Sequence, residues 1–181
     1  AGGTVRVLPG IYNEVAPGSM TTSLGAPSGG YQFGLFFPSS KPGITLMGVT
    51  TADAPITSAN LVKATVNTNA TNSFGYSGVF VEAANTTIQG LAFGPNTPSD
   101  NKTIEVVADN FTLQYSSTAV PGGGAVYISE FDPPATAVAS YHILDNNFAD
   151  ATQIAISSGA GQTGAVSGRK ITGNTFVLGD S

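Results

Sequence analysis

The 181-residue chain has no cysteine and no tryptophan. The first absence removes disulfides, cysteine-ligated zinc and thiol nucleophiles together, without fixing the compartment. The second removes one of the two side chains on which sugar rings stack, leaving six tyrosines. Charged residues are only 9% of the chain, against roughly 25% in an ordinary globular domain. Solubility must therefore come from Ser, Thr, Asn and Gly. The six Lys and Arg do not cluster and the net charge is −5, so the footprint of a nucleic-acid binder is missing. Nor is there a basic patch for an anionic membrane surface. No apolar run approaches the ~18 residues of a membrane span, and Ala1-Gly2-Gly3 does not open a signal peptide. No stretch holds an i, i+3, i+4, i+7 apolar stripe over three turns, so little or no α-helix is expected.

What is present is a recurring phrase. In Ser77–Phe93 a short alternating strand, a polar turn carrying Asn85 and a second short strand follow one another. Thr103–Tyr115 repeats the grammar around Asn110. Self-similarity at roughly 20–50 residues signals a solenoid. First strands centre on Val5–Val7, Leu35–Phe37, Val79–Val81, Ile104–Val106, Val126–Ile128 and Ile154–Ile156. Second strands centre on Ile44–Leu46, Ile88–Leu91, Phe111–Leu113, His142–Leu144 and Lys170–Thr172. An antiparallel sandwich also gives many short strands, but Asn-Gly and Asp-Gly hairpin turns are absent between these. Asn tolerates the left-handed region and closes its own turn, so stacked coils can share an Asn ladder. The inward set predicted from alternation is Val79, Val81, Ile88, Leu91, Ile104, Val106, Leu113, Val126, Ile128, Ile143, Ile154, Ile156 and Ile171.

Inserts break the rhythm at 14–30 and 50–76, the second with a strand-like Leu61–Val66 of its own. Insertions in a solenoid map to loops, often on the binding side. By length the chain is one domain of about six coils spanning 1–181, and its bare first and last strands lead us to expect a fragment of a longer protein.

Gly3-Thr4-Val5-Arg6-Val7-Leu8-Pro9-Gly10-Ile11-Tyr12-Asn13-Glu14, followed by Lys41-Pro42-Gly43-Ile44-Thr45-Leu46-Met47-Gly48, resembles the opening coils of the pectin lyase-like superfamily, pectin methylesterases among them. Ile143–Phe148 and Ile171–Phe176 are similar to its generic coils. The resemblance implies an all-β, right-handed parallel β-helix. It implies little about activity, because the matching residues are structural. The superfamily's polygalacturonase and methylesterase site motifs are not matched.

Polysaccharide-active enzymes of this type gather two or three carboxylates on adjacent coils. The nearest pairs here are Glu130 with Asp132, and Asp145 with Asp150. These four are the catalytic candidates, although Pro133-Pro134 ends the first pair's strand and solvated loop acids are the plainer reading. No metal site and no cofactor are expected. Ca²⁺ is the exception the acids leave open, but it wants six to eight oxygens and no Asp-x-Asp-x-Asp run exists. His142, the only histidine, should face opposite to Ile143 and so outward. Tyr115, Tyr127 and Tyr141 fall in or beside strands and could face outward as a stripe for sugar rings, although for most of the tyrosines a core or interface role is the plainer reading, since a ring can bury while its hydroxyl stays wet. Tyr31 and Tyr76, beside the inserts, are the ligand-binding candidates. The sequence thus favours a secreted or cell-surface module, a scaffold or a carbohydrate-binding, adhesin-like segment whose partner is a polysaccharide or surface glycan. The alternative is a polysaccharide lyase, glycosidase or esterase.

Overall fold

The computed structural model describes residues 2–15, 32–61, 63–69, 76–94, 102–119, 124–128, 138–149, 153–156 and 168–177. Among these the chain is all-β and winds as a parallel β-helix with three sides. The first coil is β1 (Thr4–Val7), β2 (Ile11–Val15) and β3 (Gln32–Phe37); the second is β4 (Thr45–Gly48), β5 (Ala64–Asn69) and β6 (Tyr76–Val81). The third is β7 (Thr87–Gln89), β8 (Leu91–Phe93) and β9 (Lys102–Val106); the fourth is β10 (Phe111–Gln114), β11 (Ser117–Ala119) and β12 (Gly124–Ile128). The fifth is β13 (Tyr141–Leu144), β14 (Asn147–Ala149) and β15 (Gln153–Ile156), and β16 (Arg169–Thr172) and β17 (Thr175–Val177) follow. Stacked, they give a first sheet β1-β4-β7-β10-β13-β16, a second β2-β5-β8-β11-β14-β17 and a third β3-β6-β9-β12-β15. Every neighbouring pair in the three sheets is parallel.

Two columns of left-handed residues make the corners of the first sheet. Gly43, Asn85, Asn110 and Gly168, at φ 77°, 60°, 58° and 89°, precede β4, β7, β10 and β16. Gly90, Tyr115, Asp145 and Gly173, at φ 66°, 52°, 54° and 69°, follow β7, β10, β13 and β16 and turn the chain into the second sheet. The Asn ladder expected from the sequence exists at the first corner: Asn110 Nδ2 donates to Asn85 Oδ1 at 3.1 Å, and the Ser140 hydroxyl donates to Asn110 Oδ1. A second ladder follows the other corner. The Oδ1 atoms of Asn146 and Asn174 accept the backbone N–H of Ser116 and Asn146, one coil earlier, at 2.9 and 3.0 Å. The Nδ2 groups of Asn146 and Asn174 return to the carbonyls of Leu113 and Ile143. Buried backbone that the sheets leave unpaired is satisfied this way.

Between the sheets lies one apolar core. Ile88, Leu113 and Ile143 are adjacent in register, as are Val79, Ile104 and Val126, and all six are fully buried. Each contributes roughly 1.5–3 kcal/mol over the exposed state. The inward set read from alternation holds for Val81, Leu91, Val106 and Ile128 as well. The side chains of Ile154 and Ile156 lie outside the described residues. Ile171 is a correction: it is 44% exposed, because β16 pairs with β13 on one edge and ends the first sheet on the other.

Other corrections concern grouping. Val5–Val7 does not belong with the first strands but stacks on β4, in the sheet of the second strands. Ile88–Leu91 is two strands in two sheets, divided at Gly90. The coil therefore has three sides, where the sequence grammar shows two. The insert's strand begins at Ala64 and runs to Asn69, leaving Leu61 exposed. Tyr141 is buried, with the Arg169 guanidinium 5.7 Å from its ring centre.

Candidate functional site

The described part of the long insert, residues 49–61, folds over the corner between the first and second sheets. Val49 and Pro55 form an antiparallel bridge, and Ile56 donates its N–H to the Gly48 carbonyl at 3.1 Å. Gln89 Nε2 donates to the Ile56 carbonyl at 2.8 Å. At the outer end of the insert, Arg6 Nε donates to Asp53 Oδ1 at 2.8 Å, and a second guanidinium nitrogen donates to the Asp53 carbonyl. Ile56 is fully buried, and the fit depends on Gly90. A Cβ there would lie 2.5 Å from the Ile56 Cβ, at a backbone φ of 66°. Glycine alone permits both the left-handed turn and this approach.

Further along the same corner the column carries side chains, and a groove of about 420 Å³ opens between it and the insert. Thr57, Ser58, Ala59 and Asn60 form one wall. Tyr115, Asp145 and Gly173 form the corner line, with Asn146, Asn147 and Thr175 beside it. Gly173 makes room for acid: a Cβ on it would overlap Asp145 Oδ1 at 1.9 Å. Asp145 is exposed and Tyr115 half-buried. Asn147 Oδ1 is shut off from solvent and has no hydrogen-bond partner among the described residues. An unpaired buried acceptor costs about 1–3 kcal/mol. Among the described lining residues Asp145 is the only Asp, Glu, Lys, Arg or His.

A second groove, about 440 Å³, lies at the other corner of the first sheet, lined by Asn110, Phe111, Thr112, Ser140, Tyr141 and His142 among others. His142 is exposed, opposite in sense to buried Ile143, as alternation requires. Burial raises the Tyr141 hydroxyl's pKa, and the Arg169 charge opposes that shift. Asp109 is committed nearby, accepting the Ala139 N–H at 2.5 Å. Lys63, just before β5, has its Nζ out of solvent contact with no hydrogen-bond partner among the described residues, and desolvation lowers its pKa to about 8.

Of the candidates read from sequence, Asp145 stands in the first groove. Glu130, Asp132, Asp150 and Tyr31 lie outside the described residues. Tyr76 begins β6 and pairs with Gln32 through the backbone, while its side chain is not described. Neither groove brings two carboxylates together with a Lys, Arg or His among its described lining residues. Among the described residues no three His, Asp or Glu gather as metal ligands, and no helix is long and apolar enough to cross a membrane. Sequence reasoning missed Ser58, Asn60, Asn147 and Thr175, and offered Tyr115 as part of an outward stripe while favouring a core or interface role for most of the tyrosines. The corner that unites them is defined by backbone φ at residues of three different types, which no spacing motif reveals. Comparison with known protein families, curated proteins and solved structures finds no match.

Proposed function

We propose that this chain is a non-catalytic, carbohydrate-binding β-helix module of an extracellular or cell-surface protein, and that the insert-walled corner groove is its sugar-contact surface. The observation that carries this reading is the lining itself: hydroxyls of Ser58 and Thr175, amides of Asn60 and Asn147, the Asp145 carboxylate and one tyrosine ring. Sugars present hydroxyl donors and acceptors at close spacing and an apolar ring face, and this set of groups answers both. Tyrosine stacking is worth on the order of 1 kcal/mol, so single-site binding is weak and multiple contacts are needed. The resemblance to the pectin lyase-like superfamily adds polysaccharide as the ligand class. A polysaccharide array or affinity electrophoresis tests the reading. Binding by the wild-type chain that weakens in a Tyr115→Ala, Asn60→Ala double variant supports it, and equal binding by the variant places the site elsewhere. Cleavage of an acidic polysaccharide would instead make the chain an enzyme, with Glu130, Asp132, Asp145 and Asp150 the first residues to replace.

A further inference from the structure

The charge and hydrogen-bonding sense of the groove go further and, resting on the carbohydrate-binding reading, select a class of glycan. We infer that the corner groove takes neutral glycans and discriminates against uronate-bearing ones. Two features carry this. First, the described lining residues hold one formal charge, the Asp145 carboxylate, and no Lys, Arg or His. A sugar carboxylate entering the groove would meet a like charge with no cation to offset it. A pyranose diol instead can donate both hydroxyls to one carboxylate. Second, several of the chain's few cations are engaged or placed elsewhere. Arg6 is bound to Asp53, and Arg169 donates to the Val138 carbonyl from Nε and a terminal nitrogen at 3.2 and 2.6 Å. Lys170 stands in the register row of His142, on the first sheet's outer face. With a net charge of −5, the molecule as a whole also slows the approach of a polyanion at low salt.

The test is a binding series with the 181-residue chain. Neutral glucan, mannan and xylan oligosaccharides are compared with polygalacturonate and alginate oligosaccharides of matched length, at 20 mM and 300 mM salt. The expected result is at least tenfold tighter binding of some neutral glycan than of either uronate at low salt. The gap should narrow at high salt, because the screening length falls from about 20 Å at the lower salt to about 6 Å at the higher. Asp145→Asn, which the left-handed backbone tolerates, should raise uronate binding relative to neutral binding several-fold. Uronate binding by the wild type that equals or exceeds neutral binding overturns the preference while leaving the carbohydrate-binding reading standing. An unchanged ratio in Asp145→Asn overturns it too. No binding of either class overturns the reading and the preference together.

Discussion

The side-chain amide of Asn110 donates to the side-chain carbonyl of Asn85, one coil below, at 3.1 Å, and both residues turn the chain at a φ near 60°. One residue type thus supplies the backbone conformation and the link between coils. The two contributions can be separated. Asn110→Gly keeps the turn and loses the amide contacts, while Asn110→Ala loses both. Chemical denaturation should show Asn110→Ala destabilised by about 2–3 kcal/mol, from the left-handed penalty plus lost hydrogen bonds. Asn110→Gly should cost about 1 kcal/mol less. Equal costs would remove the turn from the account.

Gly90 carries the insert. Gly90→Ala should destabilise by about 2 kcal/mol or more, because a Cβ strains the turn and meets Ile56. Adding Ile56→Gly, which removes the Cβ that the new methyl meets, should recover the contact component alone, a coupling of about 0.5–3 kcal/mol in a double-mutant cycle. Additive losses would mean that the insert does not sit on this corner.

The core and the last strand of the first sheet should respond differently. Leu113 is fully buried and Ile171 is 44% exposed, though both belong to the first sheet's inward row. Leu113→Ala should cost about 2–5 kcal/mol, and Ile171→Ala about 1 kcal/mol or less. Val106→Asp, which drives a charge among fully buried neighbours, should abolish cooperative unfolding or cost several kcal/mol.

Lys63 sets a pH dependence. Its folded pKa lies near 8, below the ordinary 10.5, because burial penalises the ammonium. The unfolded chain therefore binds more protons between these values, and stability from this group rises with pH across that window. Below pH 8 the penalty is fully present. Lys63→Met should match or exceed wild-type thermal stability at pH 7. The wild type should close that difference between pH 8 and 10.5, as read from paired melts. A variant destabilised at pH 7 and indifferent to pH would contradict this.

How much of this was legible beforehand follows from the same residues. Alternation in Val79–Val81 and Ile104–Val106 exposes strand and inward face directly, and Asn85 and Asn110 announce their turns. The second sheet was hidden because β8, β11, β14 and β17 have three residues each. Too short to alternate visibly, they follow a one- or two-residue corner that reads as part of one phrase. At that corner Gly90, Tyr115, Asp145 and Gly173 share a conformation across three residue types, so the groove that the last three line leaves no sequence signature. Ile171 looked buried because alternation reports which face a side chain takes and says nothing of what stacks beyond it.

The central claim is that sugar binds at the corner walled by the insert, and backbone amide chemical-shift mapping by NMR reads it most directly. Titrating a neutral oligosaccharide should move the amides of Ser58 to Asn60, Tyr115, Asp145 to Asn147 and Thr175 together along one saturating curve. Shifts confined to Asn110 to Thr112 and Ser140 to His142, at the opposite corner, or no shifts with any glycan, would contradict it.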